Sequence, residues 1–292
     1  MSEECDADLK RAGLEPLEVR RLVDTALDED LRYGPDVTTE ATIRPGQRAR
    51  AQVAAREGGV VCGGPVALVV LDAVGFSLSG VDVRVVDGEA VEAGTVVMSL
   101  EGPLRSLLVA ERTLLNFMTH LSGIASATYA WSRALEGTSC RVRDTRKTTP
   151  GLRQLQKYAV RCGGGVNHRM GLGDAALIKD NHVAATGSIA NAIEDVRRQY
   201  PDVTLEVECD TLEQVREALD SGCSLILLDN MNVQQMRAAV ELANGFPDVL
   251  LEASGGLTLE DATLVAATGV DYLAVGALTH SVRALDLGLD LL

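Results

Sequence analysis

Between Arg141 and Arg169 the sequence places eight basic side chains: Arg141, Arg143, Arg146, Lys147, Arg153, Lys157, Arg161 and Arg169. Asp144 is the one acid among them, although the whole chain carries a formal net charge of -15. Cations gathered in one short segment of an acidic protein point to a site for an anion. The ordinary alternative is a basic helix face turned to solvent. Two features weigh against it. Arg146-Lys147 runs directly into Thr148-Thr149-Pro150-Gly151, which reads as a turn. His168-Arg169 follows Gly163-Gly164-Gly165, where backbone can come close to a ligand.

A second set of chemically capable residues lies further along, at the ends of short apolar runs. Lys179-Asp180-Asn181-His182 closes one run, Glu208 the next, then Asp229-Asn230, then Ser254-Gly255-Gly256, then Gly276. Glu208 and Asp229 could jointly hold a hard cation such as Mg2+, or could simply cap loops or pair with Lys. Ser254-Gly255-Gly256 precedes Thr258-x-x-Asp261, a capping-box pattern, so free N–H groups at a helix start would cradle a phosphate. Gly276 would supply the other lip. Arg suits a carboxylate through its planar fork, so Arg146, Lys147, His168, Arg169 and Lys179 would take a carboxylate-rich or phosphate-rich group.

The elements that must position these residues follow from periodicity. Residues 16–33 read as an amphipathic helix with Leu17, Leu22, Val23, Ala26, Leu27 and Leu31 on one side, stopped at Gly34-Pro35. Residues 48–61 alternate like a strand pair turning at Gly58-Gly59, and 65–74 read as a short buried helix. VDGEAVEAGTVVMSLEG reads as short strands joined by glycine turns. From Leu104 to Leu135 a stripe of Leu107, Ala110, Leu114, Phe117, Leu121 and Ile124 predicts a helix, with Gly123 as a break and a domain boundary. Arg112 flanks that stripe, and an Arg so placed is ordinarily solvated or ion-paired.

After Gly137 the rhythm changes. Strands are predicted at 140–144, 175–179, 205–208, 224–229, 249–252 and 272–275. Helices are predicted at 152–162, 188–200, 211–221, 232–244 and 258–268. Alternating strand and helix means parallel strands with right-handed crossovers, closed as a barrel or left as an open sheet. Polar residues at the same end of consecutive parallel strands mark where β/α barrels build their sites.

Composition bounds the rest. The 292 residues are 46% hydrophobic but only 3% aromatic, so the core is aliphatic. The acidic balance argues against nucleic acid, and no apolar run reaches membrane-spanning length. The six cysteines form no C-x-x-C pair, so a zinc site is not expected; reduced thiols and a cytoplasmic location are.

The segments RDTRKTTPGLRQLQKYAV, GGGVNHRMGLGDAALIKDNH, EVE, LLDN, EASGG and DYLAVGALTHS resemble the quinolinate phosphoribosyltransferases, as do EDLRYGPDVTT and AERTLLNF upstream. The resemblance implies an N-terminal α/β sandwich domain, residues 1–117, followed by an open or incomplete parallel β/α barrel, residues 118–292. A tail from about 280 would pack on the first domain. It implies transfer of phosphoribosyl from phosphoribosyl pyrophosphate (PRPP) to quinolinate with decarboxylation, in NAD biosynthesis. By motif position, Arg146, His168, Arg169 and Lys179 would bind quinolinate. Arg112 would be lent by the other subunit of a homodimer, itself able to assemble further. Lys147, Glu208 and Asp229 would lie near ribose, pyrophosphate and Mg2+, and Ser254, Gly255, Gly256 and Gly276 would cradle the 5′-phosphate. Lys147, Lys179, Glu208 and Asp229 would carry catalysis. Two other enzymes fit the residues less fully: a related transferase acting on another heterocycle, and an aldolase using Lys179 as a Schiff-base amine. A non-catalytic anion-binding subunit is a third alternative.

Overall fold

The structure, a computed structural model, describes residues 3–292. The chain divides into two compact units. The first takes the chain up to Tyr129, then Thr149–Gly164 and Ser281–Leu292; the second takes Ala130–Thr148 and Gly165–His280.

The first unit opens with helices α1 (Glu3–Arg11), α2 (Pro16–Leu31) and α3 (Val37–Thr42). Asp36 caps α3 by accepting the Thr39 N–H. Strands β1 (Arg48–Ala55) and β2 (Gly59–Val60), helix α4 (Gly64–Ala73), and strands β3 (Val81–Val83), β4 (Ala90–Val91) and β5 (Val96–Pro103) follow. Helix α5 (Leu104–Ala134) comes next. A sheet runs in the order β12-β1-β5-β3, and its last strand in sequence is β12 (Leu287–Leu291). All its pairings are antiparallel. The separate ribbon β2–β4 holds Gly59 and Val60.

The buried face of α2 is Pro16, Val19, Val23 and Leu27, at three- and then four-residue spacing. Leu17 is 75% exposed and Leu31 38% exposed, so the broader stripe read from the sequence is narrower in the fold. In α5 the expected stripe is largely buried: Leu107, Ala110, Leu114, Leu121 and Ile124 are buried and Phe117 is half-buried, the large aliphatic ones worth roughly 1.5–3 kcal/mol each. The helix does not break at Gly123. A Cβ there would sit 2.3 Å from the Arg283 carbonyl oxygen, so the glycine serves a backbone that passes against the helix. Gly163 does the same: its Cβ would meet the Ala125 carbonyl oxygen at 2.3 Å, so this glycine faces α5 rather than a ligand.

The segment between the two parts of the second unit is α6 (Arg153–Cys162), which belongs to the first. The second unit begins with β6 (Arg141–Arg143) and resumes with β7 (Ala176–Ile178), α7 (Asp180–Thr186), α8 (Ile189–Gln199), β8 (Leu205–Cys209) and α9 (Leu212–Asp220). Then come β9 (Leu225–Asp229), α10 (Val233–Ala243), β10 (Leu250–Ser254), α11 (Ala262–Ala266), β11 (Tyr272–Ala274) and α12 (Ala277–His280). Six strands run in the order β6-β11-β10-β9-β8-β7, every pairing parallel. β6 and β7 are the two edges, so the barrel is open. Side-chain caps start the helices where the sequence supplies them: Ser188 for α8, Thr211 with Gln214 for α9, and Asn232 with Gln235 for α10. The predicted capping box at Thr258 is absent. Thr258 Oγ1 donates instead to Asp261 Oδ2 at 2.6 Å, closing a turn, and α11 starts only at Ala262 without a side-chain cap.

Candidate active site

Parallel strands buried on both sides alternate their side chains with period two, so one face of this sheet collects every second residue. Glu208, Leu227 and Glu252 are direct cross-strand neighbours in one row; Asp229, Ser254 and Ala274 form the next. Leu177 and Glu206 are opposite each other on β7 and β8. This face walls a cavity of about 360 Å³ lined by Thr145, Arg146, Lys147, His168, Arg169, Leu177, Lys179, Glu208, Leu227, Asp229, Glu252, Ser254 and Ala274.

The cations enter from the loops. Residues after β6 run alongside a second strand-like segment: Arg143 bridges Val166 in parallel, and Asp144 N–H donates to the Val166 carbonyl. Asp144, wholly buried, accepts from Asn167 Nδ2 at 2.5 Å and from the His168 N–H at 2.9 Å. That carboxylate pins the His168-Arg169 turn beside Arg146-Lys147. His168 Nδ1 accepts the Arg169 N–H at 2.9 Å, which leaves Nε2 to carry the proton and donate to Glu206 Oε2 at 2.7 Å. Arg143 pairs with Glu252, and Lys179 pairs with Glu208.

The electrostatics are those of a site waiting for an anion. Burial, then the neighbouring Arg146, pull the Arg169 guanidinium below its usual range. The Nε atoms of Arg146 and Arg169 are both buried without a hydrogen-bond partner. Two like charges with unmet donors on one cavity wall are stabilised when a dianion enters. Burial, then repulsion from Glu206, push the Glu252 carboxyl up to about 7.

Residues 36–122 match the family profile described as Quinolinate phosphoribosyl transferase, N-terminal domain, and residues 124–290 match the profile for its C-terminal domain. The chain belongs to the quinolinate phosphoribosyl transferase family. Its relatives agree. It is 55% identical over 275 residues to the carboxylating nicotinate-nucleotide pyrophosphorylase of Mycobacterium leprae (strain TN), covering 93% of this chain and 96% of that one. It is 41% identical to the probable carboxylating nicotinate-nucleotide pyrophosphorylase of Bacillus subtilis (strain 168), covering 94% of this chain and 93% of that one. The solved nicotinate-nucleotide pyrophosphorylase of Francisella tularensis superposes with a TM-score of 0.88 at 36% identity, over 96% of this chain and 98% of that one.

Against this family's expected site, the cavity gathers Arg146, Lys147, His168, Arg169, Lys179, Glu208, Asp229 and Ser254. Gly255, Gly256 and Gly276 do not line it. Gly255 has φ +98, and a Cβ there would lie 2.2 Å from Asn230 Oδ1. Asn230 is itself left-handed, with φ 53, and its N–H donates to the Ser254 carbonyl. The ends of β9 and β10 are therefore locked to each other. Lys147 lies over Gly276, whose Cβ would come within 3.1 Å of its Cδ. Arg112 is an exposed residue of α5 in the first unit. The sequence reading missed Glu206, Glu252 and Thr145. The first two carried a visible signal: an acid inside a buried strand, two residues from Glu208 or Ser254 and so on the same face.

Glu208 and Asp229 suit a hard cation. Both offer carboxylate oxygens to one cavity from adjacent strands, and Asp229 is further held by Asn230 Nδ2 at 2.6 Å.

Proposed function

We propose that this protein joins quinolinate to PRPP and releases pyrophosphate and CO2, giving nicotinate mononucleotide for de novo NAD synthesis. The observation that carries this reading is the convergence of Arg146, Arg169, His168, Lys147 and Lys179 on one cavity, with two Arg Nε donors unmet. Quinolinate brings two adjacent carboxylates to that wall. Arg146 and Arg169 fork onto them, and His168, held by Asp144 and Glu206, keeps the ring oriented.

The ring nitrogen attacks C1 of the ribose as the bond to pyrophosphate breaks. Lys147 and Lys179 offset charge developing on the leaving group, and Glu208 and Asp229 face the positive character at the ribose. Mg2+ held through Glu208 and Asp229 would neutralise pyrophosphate when bound. The quaternised nitrogen then takes the electron pair as the 2-carboxylate leaves as CO2, and the vacated ring carbon is protonated. No covalent bond to the chain forms. Lys179 is paired with Glu208, so its nitrogen is engaged with a carboxylate, which argues against a Schiff-base amine. The phosphate end of PRPP is assigned to Ser254, Gly255, Gly256 and Gly276.

We also propose that two chains share their sites, Arg112 reaching the partner's cavity. The test of the reaction is incubation with quinolinate, PRPP and Mg2+, followed by product mass. Nicotinate mononucleotide with CO2 released in equal amount is expected. An adduct trapped on Lys179 by borohydride, or full activity in excess chelator, would remove the reaction or the metal from the proposal.

A further inference from the structure

The sequence offers no paired-cysteine motif, yet the fold of the first unit brings two cysteines from distant segments together. Cys62 lies in the short loop between β2 and α4, Cys162 is the last residue of α6, and Asp87 lies between β3 and β4. One ligand atom from each, two sulfurs and a carboxylate oxygen, lie within 4.8 Å of one another. Cys62 is wholly buried and Cys162 partly so.

The cluster is built rather than incidental. The Cys62 backbone is clamped at both ends by Ser122 of α5, whose Oγ accepts the N–H at 2.8 Å and donates to the carbonyl at 3.1 Å. Asp87 Oδ2 accepts the Gly63 N–H at 2.8 Å and the Tyr158 hydroxyl at 2.7 Å, while Oδ1 accepts the Gly64 N–H at 2.9 Å. The Cys62 thiol also hydrogen-bonds to this carboxylate, so ligand atoms of the cluster already meet. No Lys, Arg or His pairs with Asp87 among the described residues, and buried carboxylates ordinarily have a cationic or metal partner. Burial pushes its carboxyl up, and a hydrogen bond from Cys62 pulls the Cys162 thiol down. A cavity of about 380 Å³ reaches Asp87 and Tyr158, which gives an ion a way in.

We propose that Cys62, Asp87 and Cys162 form a binding site for a thiophilic divalent cation, of which Zn2+ is the type. Zinc takes sulfur at about 2.3 Å and carboxylate oxygen at about 2.0–2.2 Å in a tetrahedron, so these three side chains would close inward on the ion, with water as the fourth ligand. Binding replaces two thiol protons, so Zn2+ enters as two protons leave, and the dithiolate and carboxylate balance its charge to a net −1. The Tyr158 hydroxyl orients the carboxylate from outside the coordination sphere. The ion ties the end of α6 to the loop that starts α4, a stabilising role independent of the reaction proposed above.

The test uses full-length, reduced, metal-free protein. Zn2+ is titrated against a chromophoric chelator with proton release followed in weak buffer, and Cd2+ is titrated while the ultraviolet thiolate-to-metal charge-transfer band is recorded. One equivalent of each ion, two protons per Zn2+ and a band matching two thiolates are expected. Cys62→Ser and Cys162→Ser should each weaken binding by at least roughly a hundredfold, and Tyr158→Phe by roughly tenfold to a hundredfold. Cys140→Ser, outside the cluster, should bind as the native chain does. Free Zn2+ should raise the melting temperature of the native protein and leave that of the double serine variant unmoved. Absence of stoichiometric binding by the reduced native chain overturns the proposal without recourse to any variant. So does a charge-transfer band that survives in the double variant. A Cys62–Cys162 disulfide formed under peroxide by a pair that takes up no Zn2+ when reduced also overturns it, and marks a redox couple instead.

Discussion

Glu252 stands wholly buried between Arg143, with which it pairs, and His168, whose Nε2 lies 3.9 Å from its Oε1. Its carboxyl is raised from 4.5 to about 7, first by burial and then by Glu206. In the folded protein it therefore keeps a proton that the unfolded chain has lost between those pH values. Stability from this group is full below pH 4.5 and falls as pH rises through about 7, by about 3 kcal/mol at most. Glu252→Gln cannot titrate. The stability of that variant relative to the native protein should therefore shift in its favour between pH 5 and pH 8, read by urea unfolding at each pH. A difference that moves the other way would mean that the Arg143 ion pair outweighs desolvation. At the same scale, Arg169 should decide between a dianion and a monoanion. Losing one charge-assisted bond and leaving a buried guanidinium unmet costs roughly 2–4 kcal/mol, so nicotinate should bind far more weakly than quinolinate by calorimetry. Arg169→Ala should abolish that preference while leaving PRPP binding near native.

At the scale of elements, α5 makes the sharpest prediction. Replacing a helical glycine by Ala in mid-helix ordinarily stabilises by about 1 kcal/mol. Gly123→Ala should instead lower the melting temperature, because the new Cβ would sit 2.3 Å from the Arg283 carbonyl oxygen. A rise would show that the chain near Arg283 yields easily. The same residue shows where sequence reading reaches its end. Glycine in a helical stripe reads as a break when only the local pattern is visible; what it accommodates lies some 160 residues away. The strands of the second unit were legible because buried parallel strands are continuous apolar runs closed by polar residues. β12 was not legible as a strand, since its partner β1 is remote and its own five residues are too few to declare themselves. α7 was missed because it begins at Asp180, with only Lys179 between it and the end of β7. Of the site, the loop cations and strand-end acids could be read from type and spacing. Glu206 and Glu252 were hidden because they lie inside their strands and not at the strand ends, and Asp144 by its lone place among cations.

The proposed sharing of sites between two chains is tested at Arg112. Arg112→Ala and Lys179→Ala are each expected to be inactive. Mixed under subunit exchange, a two-fold dimer of one of each has one site with both defects and one with neither, if Arg112 serves the partner's cavity. Random pairing makes about half the dimers mixed, so activity should return to about a quarter of native. If Arg112 serves its own chain, every site keeps one defect and nothing returns. Verified exchange without recovery would assign Arg112 to its own subunit or to solvent.

The order of strands in the first sheet sets a schedule for synthesis. β1 pairs on one side with β5, which follows it closely in the chain, and on the other with β12, which emerges only after the whole six-stranded unit. At ribosomal speeds of about 5–20 residues per second, one edge of β1 waits roughly ten to fifty seconds for its partner. An unpaired strand edge is a template for joining another chain. Neighbouring nascent chains on one messenger therefore hold matching open edges during that interval. Slowing translation ahead of β12 should raise the aggregated fraction of newly made protein, while leaving the stability of the finished fold unchanged.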